Sequence, residues 1–267
     1  MSLQDKSGCL HDLLRGLPDF VIAFSGGVDS GLLAAAAARA GITPVKLITV
    51  RPPWVPEREY RDAAATADAL GAEWRCMPMA FSRELRRNPA DRCYRCKKRI
   101  LQILKKTALQ SNVQILLDGS NADDSKAHRP GKKALREFGV RSPLEECGFT
   151  KNDVRKLAKE YGLAVWDKPA YSCLLTRIPH GEKVDEQMLS MIEKGEDFLI
   201  KEGFPAIRLR SHGDLARIEV PPEERELFCT ASRMNRVSYR LKGLGYRYVS
   251  LDLEGYRCGK MDRTETE

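Results

Sequence analysis

At 267 residues the chain is long enough for one large domain or two modest ones, and either size buries a self-sufficient core without disulfide staples. Its 42% hydrophobic and 31% charged residues exclude a disordered or fibrous chain; the longest greasy stretch, Leu32 to Ala38, is far too short to cross a bilayer, and Met1 to Phe20 holds no apolar run of signal-peptide length. The cytoplasm is therefore the expected compartment, where eight cysteines stay reduced rather than form a disulfide framework, and a net charge of +8 invites anionic ligands from nucleotides to RNA without specifying a fold.

Phe20 to Phe24 reads as a buried strand ending at Ser25-Gly26-Gly27, and Leu32 to Arg39 as an Ala-rich helix closed by Gly41. A strand follows at Ile42 to Val50, a helix at Glu57 to Leu70, a strand at Glu73 to Met79, a basic helix from about Arg92 to Leu109 and a strand at Val113 to Leu117. This βα alternation predicts an α/β fold, a parallel sheet with helices on both faces and ligands at the carboxyl ends of its strands. Thr150 to Tyr161 is a further helix with Thr150 as N-cap, leading to a strand-like Leu163 to Trp166.

Beyond the turn-rich stretch Lys168 to Gly181 the pattern changes to helix Val184 to Glu202, strands Ala206 to Arg210 and Leu215 to Val220, helix Glu223 to Lys242 and strand Tyr246 to Leu253. We expect a boundary near Gly181, with residues 1–181 forming the larger domain and 182–267 a smaller α+β domain. His212-Gly213-Asp214 suggests a hairpin, and alternation sets Ile207 and Leu209 on one face and Arg208 and Arg210 on the other. That arginine face is either solvated or an anion pocket. Glu196 and Glu219 are candidates for a metal or a salt bridge, or else solvated surface acids, as such residues more often are.

The chemistry concentrates in three places. Ser25-Gly26-Gly27-Val28-Asp29-Ser30 joins a buried strand to a helix, so unpaired N–H groups and the positive helix end converge where a phosphate can sit. Ser25 and Ser30 add hydroxyl donors, the glycines permit close approach, and Asp29 either orients the loop or holds Mg2+. It is neither a Walker A loop, for it carries no lysine, nor GxGxxG. Second, Asp118-Gly119-Ser120-Asn121-Ala122-Asp123-Asp124 ends another strand; it is an Asn/Asp turn or a second nucleotide-side element.

Third, Cys93 and Cys96 lie three residues apart at a helix start and so face one way. The pair fits a zinc half-site, a redox pair, iron–sulfur ligands or coincidence. Cys173, in the loop Lys168 to Pro179, is the expected third thiol, and three thiolates leave one iron of a 4Fe–4S cluster able to hold an exogenous sulfide. Zinc would instead require a fourth ligand such as Cys147 or His180. Cys9, Cys76, Cys147, Cys229 and Cys258 read as packing residues or surface thiols.

The six-residue loop resembles that of the PP-loop ATP pyrophosphatase superfamily, which grips pyrophosphate while the α-phosphorus is attacked, and the Gly119-Ser120-Asn121 segment with Asp124 resembles its second signature. Together with Trp166-Asp167-Lys168-Pro169, Cys173-Leu174, Arg177-Ile178-Pro179, Arg208 and Ala216-Arg217-Ile218-Glu219, the chain is similar over nearly its whole length to the pyridinium-3,5-biscarboxylic acid mononucleotide sulfurtransferase (LarE) family. The resemblance implies that ATP activates a carboxylate of that small nucleotide as an acyl-adenylate and that sulfur then displaces AMP, in synthesis of the nickel-pincer cofactor of lactate racemase. It also implies a homo-oligomer.

In one-cysteine members the residue matching Cys173 gives up its own sulfur. Cys93 and Cys96 make this chain similar to the three-cysteine members instead, with a 4Fe–4S cluster on Cys93, Cys96 and Cys173 carrying sulfide. Arg208 and Arg210 are expected to bind the substrate's phosphate or second carboxylate, and Arg177 to lie near the sulfur site. The sequence does not indicate the sulfur donor. Its rivals are a tRNA-thiolating enzyme, for which the basic residues Arg83 to Lys106 would track phosphates, an amide-forming enzyme of the same superfamily, and a zinc-stapled nucleic-acid-binding module.

Overall fold

Strands rich in buried apolar residues open each βα step, and the computed structural model, which describes residues 1–126, 131–169 and 172–256, shows what they assemble. The first elements are helix α1 (Leu3–Arg15), strand β1 (Phe20–Ala23), α2 (Val28–Arg39), β2 (Lys46–Arg51), α3 (Glu57–Ala69) and β3 (Glu73–Pro78). Then come α4 (Arg92–Gln110), β4 (Ile115–Leu117), α5 (Ala122–Lys126), α6 (Gly131–Glu137), α7 (Pro143–Glu146) and α8 (Lys151–Glu160). The four strands pair in parallel in the order β3-β2-β1-β4, with Ile22 opposite Leu47 and Leu117. The order reverses between β1 and β4, and a crevice opens beyond the carboxyl ends of strands at such a point.

Helix α2 is apolar nearly all round, and Leu32 to Ala37 are all buried. Its run of alanines lets neighbours approach closely in a core that also takes Phe20, Ile22, Leu47, Leu117, Phe149, Val154 and Leu157. Leu10 and Leu14 of α1, a helix the sequence reading left unassigned, are fully buried in the same core.

The chain divides into two compact units. The first holds Met1–Pro52, Glu57–Ala80 and Asp91–Ala170; the second holds Tyr171–Glu267 with two short excursions, Pro53–Pro56 and Phe81–Ala90. In the second, α9 (Glu186–Lys201) precedes an antiparallel hairpin of β5 (Arg208–His212) and β6 (Leu215–Glu219), then α10 (Arg225–Phe228), α11 (Ala231–Gly243) and β7 (Tyr248–Leu251), which joins β6 in parallel. Its core gathers Leu199, Ile207, Leu209, Ala216, Ile218, Val237 and Leu241, so Ile207 and Leu209 share the inward face as the alternation predicts.

Three expectations are corrected. Leu163 to Trp166 is a series of turns rather than a strand, because the Leu163 amide donates back to Ala158 and that of Trp166 to Leu163. The helix expected over Glu223 to Lys242 is interrupted at Cys229 and Thr230, where the Cys229 amide bonds to Arg225 and α11 starts afresh after Thr230. Cys9 and Cys147, read as packing residues or surface thiols and expected to stay reduced, are joined in a disulfide with Cα atoms 6.0 Å apart, since the shared core brings α1 onto α7. Cys147 is thus no zinc ligand here. Cys258, Ala170 and Tyr171 lie outside the described residues, and among those described no helix is long and apolar enough to cross a membrane.

Candidate functional site

The phosphate loop is built on a braced strand end. The Phe24 amide donates to the Ile48 carbonyl at 2.9 Å, its carbonyl accepts from the Thr49 hydroxyl at 2.7 Å, and Trp74 Nε1 in turn donates to that hydroxyl at 2.8 Å. From there Gly26 turns with φ +74°, where a side chain is strained and a Cβ would come within 2.6 Å of Ala63 Cβ. Gly27 is the N-cap of α2, with no side-chain bond to the first amides of the helix. The buried Ser30 hydroxyl ties the loop together, 3.0 Å from Ser25 Oγ and accepting from the Ser25 amide at 3.2 Å.

The second signature follows β4 and packs against this loop. A Cβ on Gly119 would lie 2.7 Å from the Ser30 amide nitrogen and 2.9 Å from the Asp29 carbonyl carbon, so only glycine lets the two segments meet. Asp118 is buried and organises the turn by accepting from the Ser120 amide at 3.2 Å, the Ser120 hydroxyl at 2.9 Å and the Ser142 hydroxyl at 2.6 Å. Lys97 Nζ stands 3.8 Å from its carboxylate. Buried Asn121 donates from Nδ2 to Asp29 Oδ1 at 2.9 Å, while its own amide donates to Asp124 Oδ2 at 3.2 Å. Ser25, Gly26, Gly27, Asp29, Ser30, Gly119, Ser120, Asn121 and Asp124 thus form one constellation at the sheet's switch point.

One member of it escaped the sequence reading. Lys151 Nζ lies 2.5 Å from Asp29 Oδ2, and its backbone amide donates to Asp123 Oδ2 at 2.8 Å. Lys151 opens α8 behind a reciprocal cap between Thr150 and Asp153. The sequence signal was the Thr-Lys-Asn-Asp start of that helix, visible as a cap but silent about what the lysine reaches. Burial raises the Asp153 carboxyl, but hydrogen bonds from Lys6 and Thr150 outweigh it and pull the group down to about 2.

In the first unit, Cys93 and Cys96 occupy the first two turns of α4, exposed and half-buried respectively. Half-buried Cys173 belongs to the second unit and caps a short 3-10 turn, Leu174–Arg177; its carbonyl accepts from the Thr176 amide and hydroxyl, and the Leu174 amide donates to Trp54 O at 2.8 Å. Among the described residues no group of three or more His, Cys, Asp or Glu side chains is placed to hold a metal ion.

The arginine and glutamate readings change most. Arg177 and Glu196 are completely buried as a two-pronged ion pair, with Nε to Oε1 at 2.7 Å and Nη2 to Oε2 at 3.2 Å. Arg177 Nη1 donates to Ser172 and Thr176, so every nitrogen of its guanidinium is engaged within the protein. It positions the Cys173 turn. Glu219, also fully buried, takes Nε and Nη2 of Arg210 on one oxygen at 2.9 and 2.7 Å. Of the readings open for Glu196 and Glu219, the salt bridge holds and the solvated surface acid does not; both are drawn inward by arginines. Arg208 and Arg210 are buried as well, which removes the solvated-face reading. Arg208 stacks on the Tyr256 ring at 4.5 Å, and burial, followed by the Arg177 charge, lowers its guanidinium from the usual value.

Of the basic stripe, Arg92 is buried, Arg95 pairs with Asp91 at 2.7 Å and Lys98 lies 3.5 Å from Glu137. These are side chains engaged by neighbouring acids or the core.

No protein-family model matches the chain. It is 34% identical over 269 residues to the pyridinium-3,5-bisthiocarboxylic acid mononucleotide synthase of Lactiplantibacillus plantarum, an overlap of 100% of this chain and 97% of that one. It is 37% identical over 268 residues to an uncharacterized protein of Synechocystis sp., covering 99% of this chain and 100% of that one. An uncharacterized protein of Methanocaldococcus jannaschii is 31% identical over 237 residues, 89% of this chain and 90% of its own.

Proposed function

The chain belongs to the pyridinium-3,5-bisthiocarboxylic acid mononucleotide synthase (LarE) family, and from that premise we propose that it is an ATP-using sulfurtransferase that converts a carboxylate of a pyridinium mononucleotide into a thiocarboxylate. The observation that carries the reading is the junction of the two signatures, with Gly119, beyond β4, seated on the amide of Ser30 in the first turn of α2. The first amides of α2, which Gly27 leaves without a side-chain partner, and the Ser25 and Ser30 hydroxyls are the kind of donors that a departing pyrophosphate needs.

A carboxylate oxygen attacks the α-phosphorus of ATP, the bond from that phosphorus to the bridging oxygen breaks, and pyrophosphate leaves on the amides around Gly26 and Gly27 and at the start of α2, with Ser25 and Ser30. The acid is now an acyl-adenylate. Sulfide then attacks the acyl carbon and expels AMP, leaving the thiocarboxylate. A carboxylate is a poor acyl donor until its oxygen is tied to AMP, whereas a sulfide is a strong nucleophile.

Asp29 offers the hard oxygen donors Mg2+ prefers beside phosphate, and would hold that ion with Asp124 of the second signature. The thiols Cys93, Cys96 and Cys173 are the soft donors of an iron–sulfur centre, which would supply an iron able to carry exogenous sulfide. Arg208 supplies positive charge for a phosphate or second carboxylate of the substrate, with Arg210, bonded to Glu219 and to the Thr176 carbonyl, expected to share in that role only by giving up a partner. Arg177 holds the turn that presents Cys173.

The test is product mass from anaerobically purified protein supplied with ATP, the biscarboxylated pyridinium mononucleotide and sulfide. Wild type should yield thiocarboxylate and Cys173→Ala should lose at least about tenfold, the scale of a lost catalytic group. Full thiocarboxylate formation by Cys173→Ala, or amide formation from ammonia at the wild-type rate, removes the sulfur assignment.

A further inference from the structure

The phosphate loop carries two serines, two glycines and an aspartate but no cation, although the outer two phosphates it is to hold are strongly anionic. Within the loop only backbone dipoles and two serine hydroxyls meet that charge. The structure brings in the missing cation from another element: Lys151, at the first position of α8, has its ammonium 2.5 Å from Asp29 Oδ2.

Three features make this lysine more than a surface ion pair. Its main chain is pinned on both sides, by the Thr150–Asp153 cap and by donation of its amide to Asp123 Oδ2, so its origin is fixed to the second signature. Its partner Asp29 is already held through the other oxygen by Asn121, so the carboxylate keeps its place whether or not the lysine stays. The lysine side chain is 37% exposed, leaving its four-carbon stem free to swing while its base stands still. A single carboxylate in a half-exposed pair binds an ammonium weakly, and a multiply charged phosphate competes well for it.

We propose that Lys151 is the phosphate-binding cation of this site, resting on Asp29 and transferring to the β,γ-phosphates when ATP arrives. The inference rests on the reading of the loop as an ATP site. Asp29 then acts as the lysine's parking partner as well as a loop residue, which accounts for a lysine-free loop reaching phosphate affinity.

The experiment is calorimetric titration of ATP, pyrophosphate and AMP into wild type, Lys151→Met and Lys151→Arg. In Lys151→Met, affinity for ATP and pyrophosphate should fall about 10- to 100-fold, the worth of a charge-assisted hydrogen bond, while AMP binding stays within about twofold; Lys151→Arg should recover part of the loss. ATP binding unchanged in Lys151→Met overturns the inference, and so does a parallel loss of ATP and AMP, which would mean a merely structural lysine. Failure of wild type to prefer ATP and pyrophosphate over AMP counts against the ATP-site reading itself and takes this inference with it. Equal melting temperatures for wild type and variants show that folding is not what changed.

Discussion

Gly119 shows how much rests on an absent side chain. Its Cβ would press within 3.0 Å of three backbone atoms of Asp29 and Ser30, none of which is the yielding end of a flexible chain. Gly119→Ala should therefore push the second signature off the loop, weakening ATP binding and lowering stability by about 1–3 kcal/mol, the usual range for overpacking. Titration with ATP and a denaturant melt check both, and wild-type values for each would mean that the two segments do not meet this way. Gly26 was legible in sequence as a turn residue, but that Gly119 touches Ser30 was not, because nothing local connects positions so far apart. For Glu196 and Glu219 the sequence left salt bridge and solvated acid open for a related reason, and the buried pairs with Arg177 and Arg210 settle it. Alternation assigns a face, and only tertiary packing says whether that face is covered; here Gly195, with Leu209 Cδ2 2.3 Å from where a Cβ would be, lets α9 close over β5.

At the scale of elements, the βα order was readable because buried strands and glycine stops punctuate it, and the positions of β1 to β4 follow. Less was legible where polar segments fold by capping and tertiary contact: α6 and α7 carried no strong period, and Leu163 to Trp166 was apolar enough to mimic a strand while turning. Helix α8 is the element that delivers Lys151, and its start is set by Thr150, Asp153 and Lys6. Because the Asp153 carboxyl is depressed in the folded chain, to about 2 from 3.8, its contribution to stability is fully present above the unfolded value and is lost as the pH falls toward the folded one. Denaturant melts from about pH 5 to about pH 2 should show wild type losing about 1–2 kcal/mol more than Asp153→Asn across that window. Parallel losses would mean that the cap and the Lys6 pair do not hold the carboxylate.

Across the whole molecule, the two units have separate cores and separate chemistry. The first carries the phosphate-loop constellation with Cys93 and Cys96, and the second carries Cys173 and a buried group of arginines and glutamates. The net charge of +8 suited many anionic partners. What narrows the choice is the 34% identity over the whole chain to a synthase of a pyridinium mononucleotide, and not the buried arginines, because Arg177 and Arg210 are engaged by Glu196 and Glu219. The account stands on the fate of the nucleotide. ATP labelled in its adenine and in its γ-phosphate, incubated with the full chain and the biscarboxylated pyridinium mononucleotide, should give AMP and pyrophosphate in equal amounts; ADP with inorganic phosphate, and no AMP, would contradict it.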